Sequence, residues 1–298
     1  MLQQAGITFA VALVASLILT PLARRLALRT GTVAPVVKRS VHTEPKPFLG
    51  GLAMYLAFAL AMILAGGLRD PQMVGILVCG GLLVLLGIRD DRVPMRPKVK
   101  FLGQLAIAAL MVYVPAWQLQ VTAIYSPLGD HWVSFGPLAG PLTIIWIVSF
   151  INVMNFIDGL DGLAAGISTI AALTLLVVSL QQGMPSAILL SAALAGSAVG
   201  FLRYNFNPAK IFMGDAGSMF LGFTLAAVSV DGVMKSALAV SVLVPVLALA
   251  VPIFDTAFAI VRRLAEGRSI GQADKDHLHH RLLRLGLSHR NTVLVMWA

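Results

Sequence analysis

Residues 73–92 read MVGILVCGGLLVLLGIRDDR, an uncharged run that closes on Arg89-Asp90-Asp91-Arg92. An apolar stretch of nearly membrane-crossing length, with its charges gathered at one end, is the pattern of a helix whose solvent is lipid. The pattern recurs in both directions. Spans are predicted over 6–28, 48–67, 73–88, 99–115, 137–153, 160–180, 185–202, 216–230 and 235–261, and a tenth opens near Asn291, inside which the sequence stops at Ala298. Of 298 residues, 58% are hydrophobic and 12% charged, with a mean hydropathy of +0.88. A soluble domain of this size has no interior large enough for that much apolar surface. The expected fold is all-α and integral to the membrane, with about ten transmembrane helices in one domain over 1–298. Between the fourth and fifth spans, residues 118–135 are rich in Val, Thr, Tyr and Trp around Pro127-Leu128-Gly129-Asp130, which predicts a small surface hairpin.

The formal net charge of +9 would suit nucleic acid if it formed a solvated face, but it lies in the gaps between apolar runs. With the spans above, all of the 22 Lys and Arg except Arg69 and Lys235 fall on one side. The positive-inside rule makes that side cytoplasmic and puts the N-terminus outside. Arg24 and Arg25 follow the first apolar run instead of preceding it, so the run reads as a retained span and not a cleaved signal. The single cysteine, Cys79, has no intrachain partner and reads as packing. Most acids share the basic side, and several abut helix ends, which is the arrangement of a site at the cytoplasmic membrane surface.

Five stretches on that side could carry chemistry. Asp90 and Asp91 are adjacent carboxylates whose repulsion must be offset by Arg89 and Arg92 or by a metal; the plain alternative is a charge-balanced helix end. In Asn155-Phe156-Ile157-Asp158-Gly159-Leu160-Asp161-Gly162, a helix starting at once would put Asp158 and Asp161 on one face at its positive end. The plain alternative there is N-capping by Asp158. Asn205 through Ser218, NFNPAKIFMGDAGS, reads as a turn feeding a helix N-terminus whose free N–H groups would face an anion or metal beside Asp215. His277, His279 and His280 lack the cysteines or distant histidine pair of a zinc site, and with Arg281 and Arg284 beside them they suit a phosphate. Lys38 through Gly51 is a basic loop containing Lys46 and closing on a glycine pair that suggests close backbone packing. Asp255 adds an acid within an apolar span already containing Pro245 and Pro252. Together these fit Mg²⁺-assisted phosphoryl chemistry.

The motifs, in this order, resemble the polyprenyl-phosphate N-acetylhexosamine-1-phosphate transferases. They are Pro47-Phe48-Leu49-Gly50-Gly51, Asp90-Asp91, Asn155 through Gly162, Phe212 through Ser218, and His277 through Arg281. The resemblance implies ten helices with a bent ninth, a site facing the cytoplasm of a bacterial inner membrane, and a homodimer. The implied reaction moves a HexNAc-1-phosphate from a UDP-sugar to undecaprenyl phosphate and releases UMP. Both a direct attack and a covalent aspartyl intermediate are compatible with the motifs. By the same resemblance Asp215 is a ligand of Mg²⁺, for which Mn²⁺ can substitute, with Asp91 also near the metal. Asp90 deprotonates or positions the lipid phosphate. Phe212 and Asp161 hold uracil, while Asn155, Asp158 and Asn205 belong to the nucleotide site. Lys46, His277 and Arg281 contact substrate, and His279 and His280 lie near the phosphates. Leu278 interrupts the histidine run and Arg281-Leu282 follow it, a form closer to the GlcNAc-1-phosphate branch than to the phospho-MurNAc-pentapeptide translocase. UDP-GlcNAc or a close UDP-HexNAc is therefore the expected donor, with the MurNAc-pentapeptide reaction as the alternative. A secondary transporter is the reading from another class, but no internal repeat is visible and the acids cluster at one surface.

Overall fold

The computed structural model describes residues 1–34, 46–126, 131–231, 254 and 282–297. They are mostly helical. α1 spans Leu2–Arg29, α2 Gly50–Leu64, α3 Pro71–Arg92, α4 Pro97–Tyr113, α5 Ala139–Ile157, α6 Leu163–Gln182, α7 Pro185–Asn205 and α8 Gly214–Asp231, and a C-terminal helix covers His289–Trp297. Prolines at the first position start α3, α4 and α7, where a missing N–H costs nothing. Asp70 caps α3 by accepting from the Gln72 N–H at 2.9 Å. Five helices are long and apolar enough to cross a bilayer: α1, α3, α5 with the preceding 3₁₀ turn, α6 and α7. The hairpin expected after α4 is present, Ala123–Ser126 pairing antiparallel with His131–Ser134.

α8 is the axis of the bundle. Every residue from 216 to 231 is buried, and α2, α3, α5, α6 and α7 all pack on it. Glycines make this possible, because lipid offers no driving force comparable to water and helices must approach closely to gain dispersion. A Cβ at Gly87 of α3 or at Gly51 of α2 would collide with the α8 backbone at Ala216 or Gly217. The close packing expected of the Gly50-Gly51 pair is therefore what the structure has. α7 lies against α1 in the same way, and Ser16 Oγ donates to the Ser197 carbonyl at 2.8 Å across that contact. Some buried hydroxyls bond back one turn, as Thr20 does to Ser16 O and Thr224 to Phe220 O, which satisfies them where no water is at hand; those of Ser168, Ser179, Ser191 and Thr292 find no partner among the described residues.

Several predicted boundaries move, each for a physical reason. α2 has only 15 residues, because the chain before it is kept out of the helix, Lys46–Pro47 as a strand and Leu49 in a left-handed conformation with φ of 76°. Lys46–Pro47 pairs with Val33–Ala34, the Phe212 N–H donates to Pro47 O at 2.9 Å, and the Gly50 and Gly51 N–H groups donate to Phe212 O and Met213 O, each at 3.0 Å. α3 continues through Asp90-Asp91, with Arg89 and Arg92 in its last turn complementing the helix dipole. α5 runs on to Ile157, so Asn155 ends that helix and does not open the next. The single helical face expected for Asp158 and Asp161 does not form. Residues 158–162 are a non-helical link, and α6 begins only after Gly162, whose φ of 81° is left-handed. Asp158 therefore caps nothing there. α7 extends to Asn205, which places that residue on a helix and not in the turn. The ninth predicted span, its bend and Asp255 lie outside the described residues.

Candidate active site

α1 through α8 alternate in direction, so the C-terminal ends of α1, α3, α5 and α7 meet the N-terminal ends of α2, α4, α6 and α8 at one end of the bundle. Hydrogen bonds there join residues far apart in sequence: Arg24 Nε donates to Lys210 O at 3.2 Å, and Arg92 Nε to Thr32 Oγ1 at 3.2 Å. Asp90, Asp91, Asn155 and Asp215, separated by up to 125 residues, come together at this end.

At its centre is a triangle closed by Lys100, Asn155 and Asp215. The Lys100 ammonium lies 2.5 Å from Asp215 Oδ2, 3.1 Å from Asp90 Oδ2 and 3.3 Å from Asn155 Oδ1. Asn155 Nδ2 donates to the other Asp215 oxygen at 2.6 Å and to Ser218 Oγ at 2.9 Å. Asp90 Oδ1 accepts from the Met95 N–H at 2.6 Å, which fixes the carboxylate from the α3–α4 turn. Asp91 does something the sequence did not suggest. Its two oxygens accept from the Asp215 and Ala216 N–H groups at 2.9 and 3.4 Å. The first N–H groups of α8, expected to be open to a ligand, are thus capped by a carboxylate from α3. Gly214 makes the approach possible: its φ is 68°, and a Cβ there would run into the Asp91 carboxylate. A cavity of about 300 Å³ opens beside Asp91, lined by Thr30, Gly31, Thr32, Val33 and Arg92.

Lys100 was not singled out in the sequence, where it figured only as one of the basic residues. A cation entering an apolar run three residues after a helix-starting proline, on the side where the acids gather, was the available signal. It is one ammonium among several carboxylates. Asp158, between α5 and α6, registers the resulting excess: desolvation first, then the charges of Asp215, Asp91 and Asp161, hold its pKa well above the ordinary carboxylate value.

The remaining expected residues divide. Asp161 Oδ2 accepts from Asn207 Nδ2 at 3.1 Å and the Ala209 N–H at 2.9 Å. Asn205 is buried, accepts from the Gly162 N–H at 3.0 Å and donates to Ile211 O at 3.0 Å. Both tie the 158–162 link to the segment after α7, with Asn205 acting as a strut. Phe212 is half-buried, three residues before Asp215, its ring 6.4 Å from that of Phe48. Lys46 begins the short strand that leads to Phe48. His277, His279, His280 and Arg281 lie outside the described residues. Among the described residues no three carboxylate, imidazole or thiol groups close on one point. Mg²⁺ does not require such a cage, since one or two carboxylates with substrate phosphates and water suffice. The hard oxygens of Asp215 and Asp91, in a cluster with more negative charge than Lys100 offsets, fit that ion.

Residues 73–233, which carry Asp90, Asp91, Lys100, Asn155 and Asp215, match glycosyl transferase family 4. Over 291 residues the chain is 42% identical to the probable undecaprenyl-phosphate N-acetylglucosaminyl 1-phosphate transferase of Bacillus subtilis, covering 98% of this chain and 80% of that protein. It is 41% identical over 305 residues to the decaprenyl-phosphate N-acetylglucosaminephosphotransferase of Mycolicibacterium smegmatis, covering 92% and 74%. At 27% identity over 278 residues, the undecaprenyl-phosphate alpha-N-acetylglucosaminyl 1-phosphate transferase of Yersinia pestis aligns with 92% of this chain and 75% of its own length.

Proposed function

The chain belongs to glycosyl transferase family 4, and on that footing we propose that it transfers GlcNAc-1-phosphate from UDP-GlcNAc to undecaprenyl phosphate. The observation that carries the reading is the Asp90–Lys100–Asp215–Asn155 cluster, set at one end of a bundle with membrane-length helices, in a chain so similar over nearly its whole length to transferases named for that reaction.

In the reaction, an oxygen of the lipid phosphate forms a bond to the β-phosphorus of UDP-GlcNAc. The bond from that phosphorus to the oxygen bridging the two phosphates breaks, and UMP leaves with the electron pair. Both reactants are anionic, so approach is opposed until positive charge lies between them. Lys100 supplies one such charge, held against Asp90 and Asp215. Asp90 takes the proton of the acceptor phosphate or orients it, with one oxygen fixed by the Met95 N–H and the other set against Lys100. Asn155 keeps Asp215 in one rotamer through the bond to Oδ1. Mg²⁺, for which Mn²⁺ can substitute, would be held by Asp215 and Asp91, and when bound it neutralises phosphate charge and polarises the P–O bond to be broken. Phe212 stacks the uracil, and the Asp161 and Asn205 ties hold the nucleotide side of the cleft in shape. In the same proposal the bundle has about ten crossings with this end facing the bacterial cytoplasm, and the protein works as a homodimer.

The test is UMP release from UDP-GlcNAc by purified protein given undecaprenyl phosphate and Mg²⁺. Turnover that depends on all three is the expected result. No release overturns the reaction; preference for UDP-MurNAc-pentapeptide overturns the sugar and leaves the reaction type standing.

A further inference from the structure

One helical turn beneath the Lys100–Asn155–Asp215 triangle, the same three helices meet again through polar or polarizable side chains. Gln104 follows Lys100 by four residues on α4, Asn152 precedes Asn155 by three on α5, and Met219 follows Asp215 by four on α8. Each therefore stands on the same helix face as the site residue above it. Asn152 Nδ2 donates to Gln104 Oε1 at 2.8 Å and to its own helix at Val148 O, also at 2.8 Å. Gln104 Nε2 in turn donates to Met219 Sδ at 3.3 Å. Gln104 is 1% exposed.

An amide in an apolar interior is expensive unless its donors and acceptors are met. Leucine of similar volume would fill the space, with no hydrogen bond to lose if α4 turned about its axis. An amide bonded to amide is different: a modest rotation of α4 breaks the Gln104–Asn152 bond, strands the buried Gln104 amide where no water replaces its partner, and leaves the half-buried Asn152 with only its own helix at Val148 O. Such a pair specifies helix rotation more than it adds stability. α4 packs against α3 and α5, and its rotation decides whether the Lys100 ammonium points at Asp215 or away.

We propose that Gln104 and Asn152 are a positioning pair that locks the rotation of α4 against α5 and so aims Lys100 at Asp215. Neither residue touches substrate. The proposal rests on the reading of the triangle as the catalytic centre, and its test has one arm that needs no turnover.

In the first arm, Gln104→Leu lowers kcat by roughly tenfold to a hundredfold, the usual consequence of displacing a catalytic group by about an ångström, with KM for UDP-GlcNAc within about twofold. The exchange Gln104→Asn with Asn152→Gln rebuilds the amide bond with the longer side chain on the other helix and restores most of the rate. Unchanged kcat in Gln104→Leu overturns the proposal, and so does an exchange variant as slow as the single one. In the second arm, melting temperature in detergent is measured for Lys100→Met in the wild-type and the Gln104→Leu backgrounds. If the pair aims Lys100, removing the ammonium costs less stability once the pair is gone, and the two shifts differ. Equal shifts in both backgrounds overturn the proposal. A wild-type protein with no turnover of UDP-GlcNAc sinks the functional reading alone, since the melting comparison still reports on the pair.

Discussion

Replacing Lys100 with methionine keeps the length of the side chain and removes its charge. The side chains of Lys100, Asp90 and Asp215 are 16%, 11% and 29% exposed, so the charges interact through a medium far less polarizable than water. At an effective dielectric of about 20, separations of 3.1 and 2.5 Å correspond to gross attractions of about 5 and about 7 kcal/mol. Most of that offsets the cost of desolvating the three groups, and removing one member of such a set typically costs about 3–5 kcal/mol because the others are left buried and uncompensated. Two consequences follow. Turnover falls by about 10²–10³, the scale of losing one preorganised group that stabilises developing charge. The second consequence separates a catalytic cation from a merely structural one. Without the ammonium, Asp90 and Asp215 repel each other, and a divalent cation relieves that repulsion more than it does in the wild type. Scanning fluorimetry with and without Mg²⁺ should give a larger metal-induced stabilisation for Lys100→Met than for the parent, alongside a lower melting temperature in chelator. A variant that turns over within about threefold of wild type, or that gains no extra stabilisation from Mg²⁺, refutes the assignment of Lys100 as the internal counter-ion of this site.

Asp215→Asn should reduce turnover at least about 10³-fold and remove the thermal shift produced by Mg²⁺, because an amide is a weaker ligand and carries no charge; a folded variant with near wild-type rate excludes Asp215 as ligand. Phe212→Ala should weaken UMP binding by roughly 1–3 kcal/mol in calorimetry, the usual scale of base stacking on an aromatic ring. Unchanged affinity with a lower melting temperature would make Phe212 only a packing partner of Phe48. Asp158 holds a raised pKa in the folded protein, so folding favours its protonated form. Its ionisation costs stability as pH climbs from the unfolded value of 3.8 through the folded one. Asp158→Asn should therefore melt higher than wild type near pH 8 and lose the advantage near pH 4; an advantage that does not grow with pH contradicts the charge environment described for the link.

Much of this was legible in the sequence because lipid imposes a simple rule. Charged side chains collect where apolar runs end, and hence Asp90-Asp91, Asn155 and Asp215 could be gathered on one side before any coordinates. The hairpin after α4 was legible from its β-branched and aromatic residues around a turn, and the Gly50-Gly51 contact from the absence of side chains. What failed was local. Asp158 and Asp161 were expected on one face of a helix starting at once, but Gly162 in a left-handed conformation delays that helix to Leu163. The predicted second span counted Phe48 as membrane-embedded apolar surface, although the short strand at Lys46–Pro47, tied to Phe212, and the left-handed Leu49 keep this segment out of the helix. Lys100 was hidden for a different reason: periodicity marks which face of α4 is apolar, whereas the value of a cation depends on carboxylates brought in from α3 and α8.

The cap on α8 bears most directly on how two anions could meet here. A helix N-terminus carries about half a positive charge on its first N–H groups and is a common phosphate cradle. In this protein that position is already filled, since the Asp215 and Ala216 N–H groups point at the Asp91 carboxylate. The helix field therefore acts on Asp91, holding an acid in place beside Asp215, and not on a substrate phosphate. Positive charge for the reaction must come from elsewhere at the same end. Lys100 is one source within the cluster, and Arg24, Arg92 and Lys210 stand at the same end of the bundle on α1, α3 and the segment before α8. On the proposed reaction, such a site keeps its carboxylates ordered by protein partners, and a bound divalent cation would add the positive charge that a lipid phosphate and a nucleotide diphosphate call for. Activity in such an enzyme should depend more steeply on divalent cation than substrate binding does, because binding can draw on the surrounding arginines while the bond-breaking step occurs beside Asp91 and Asp215.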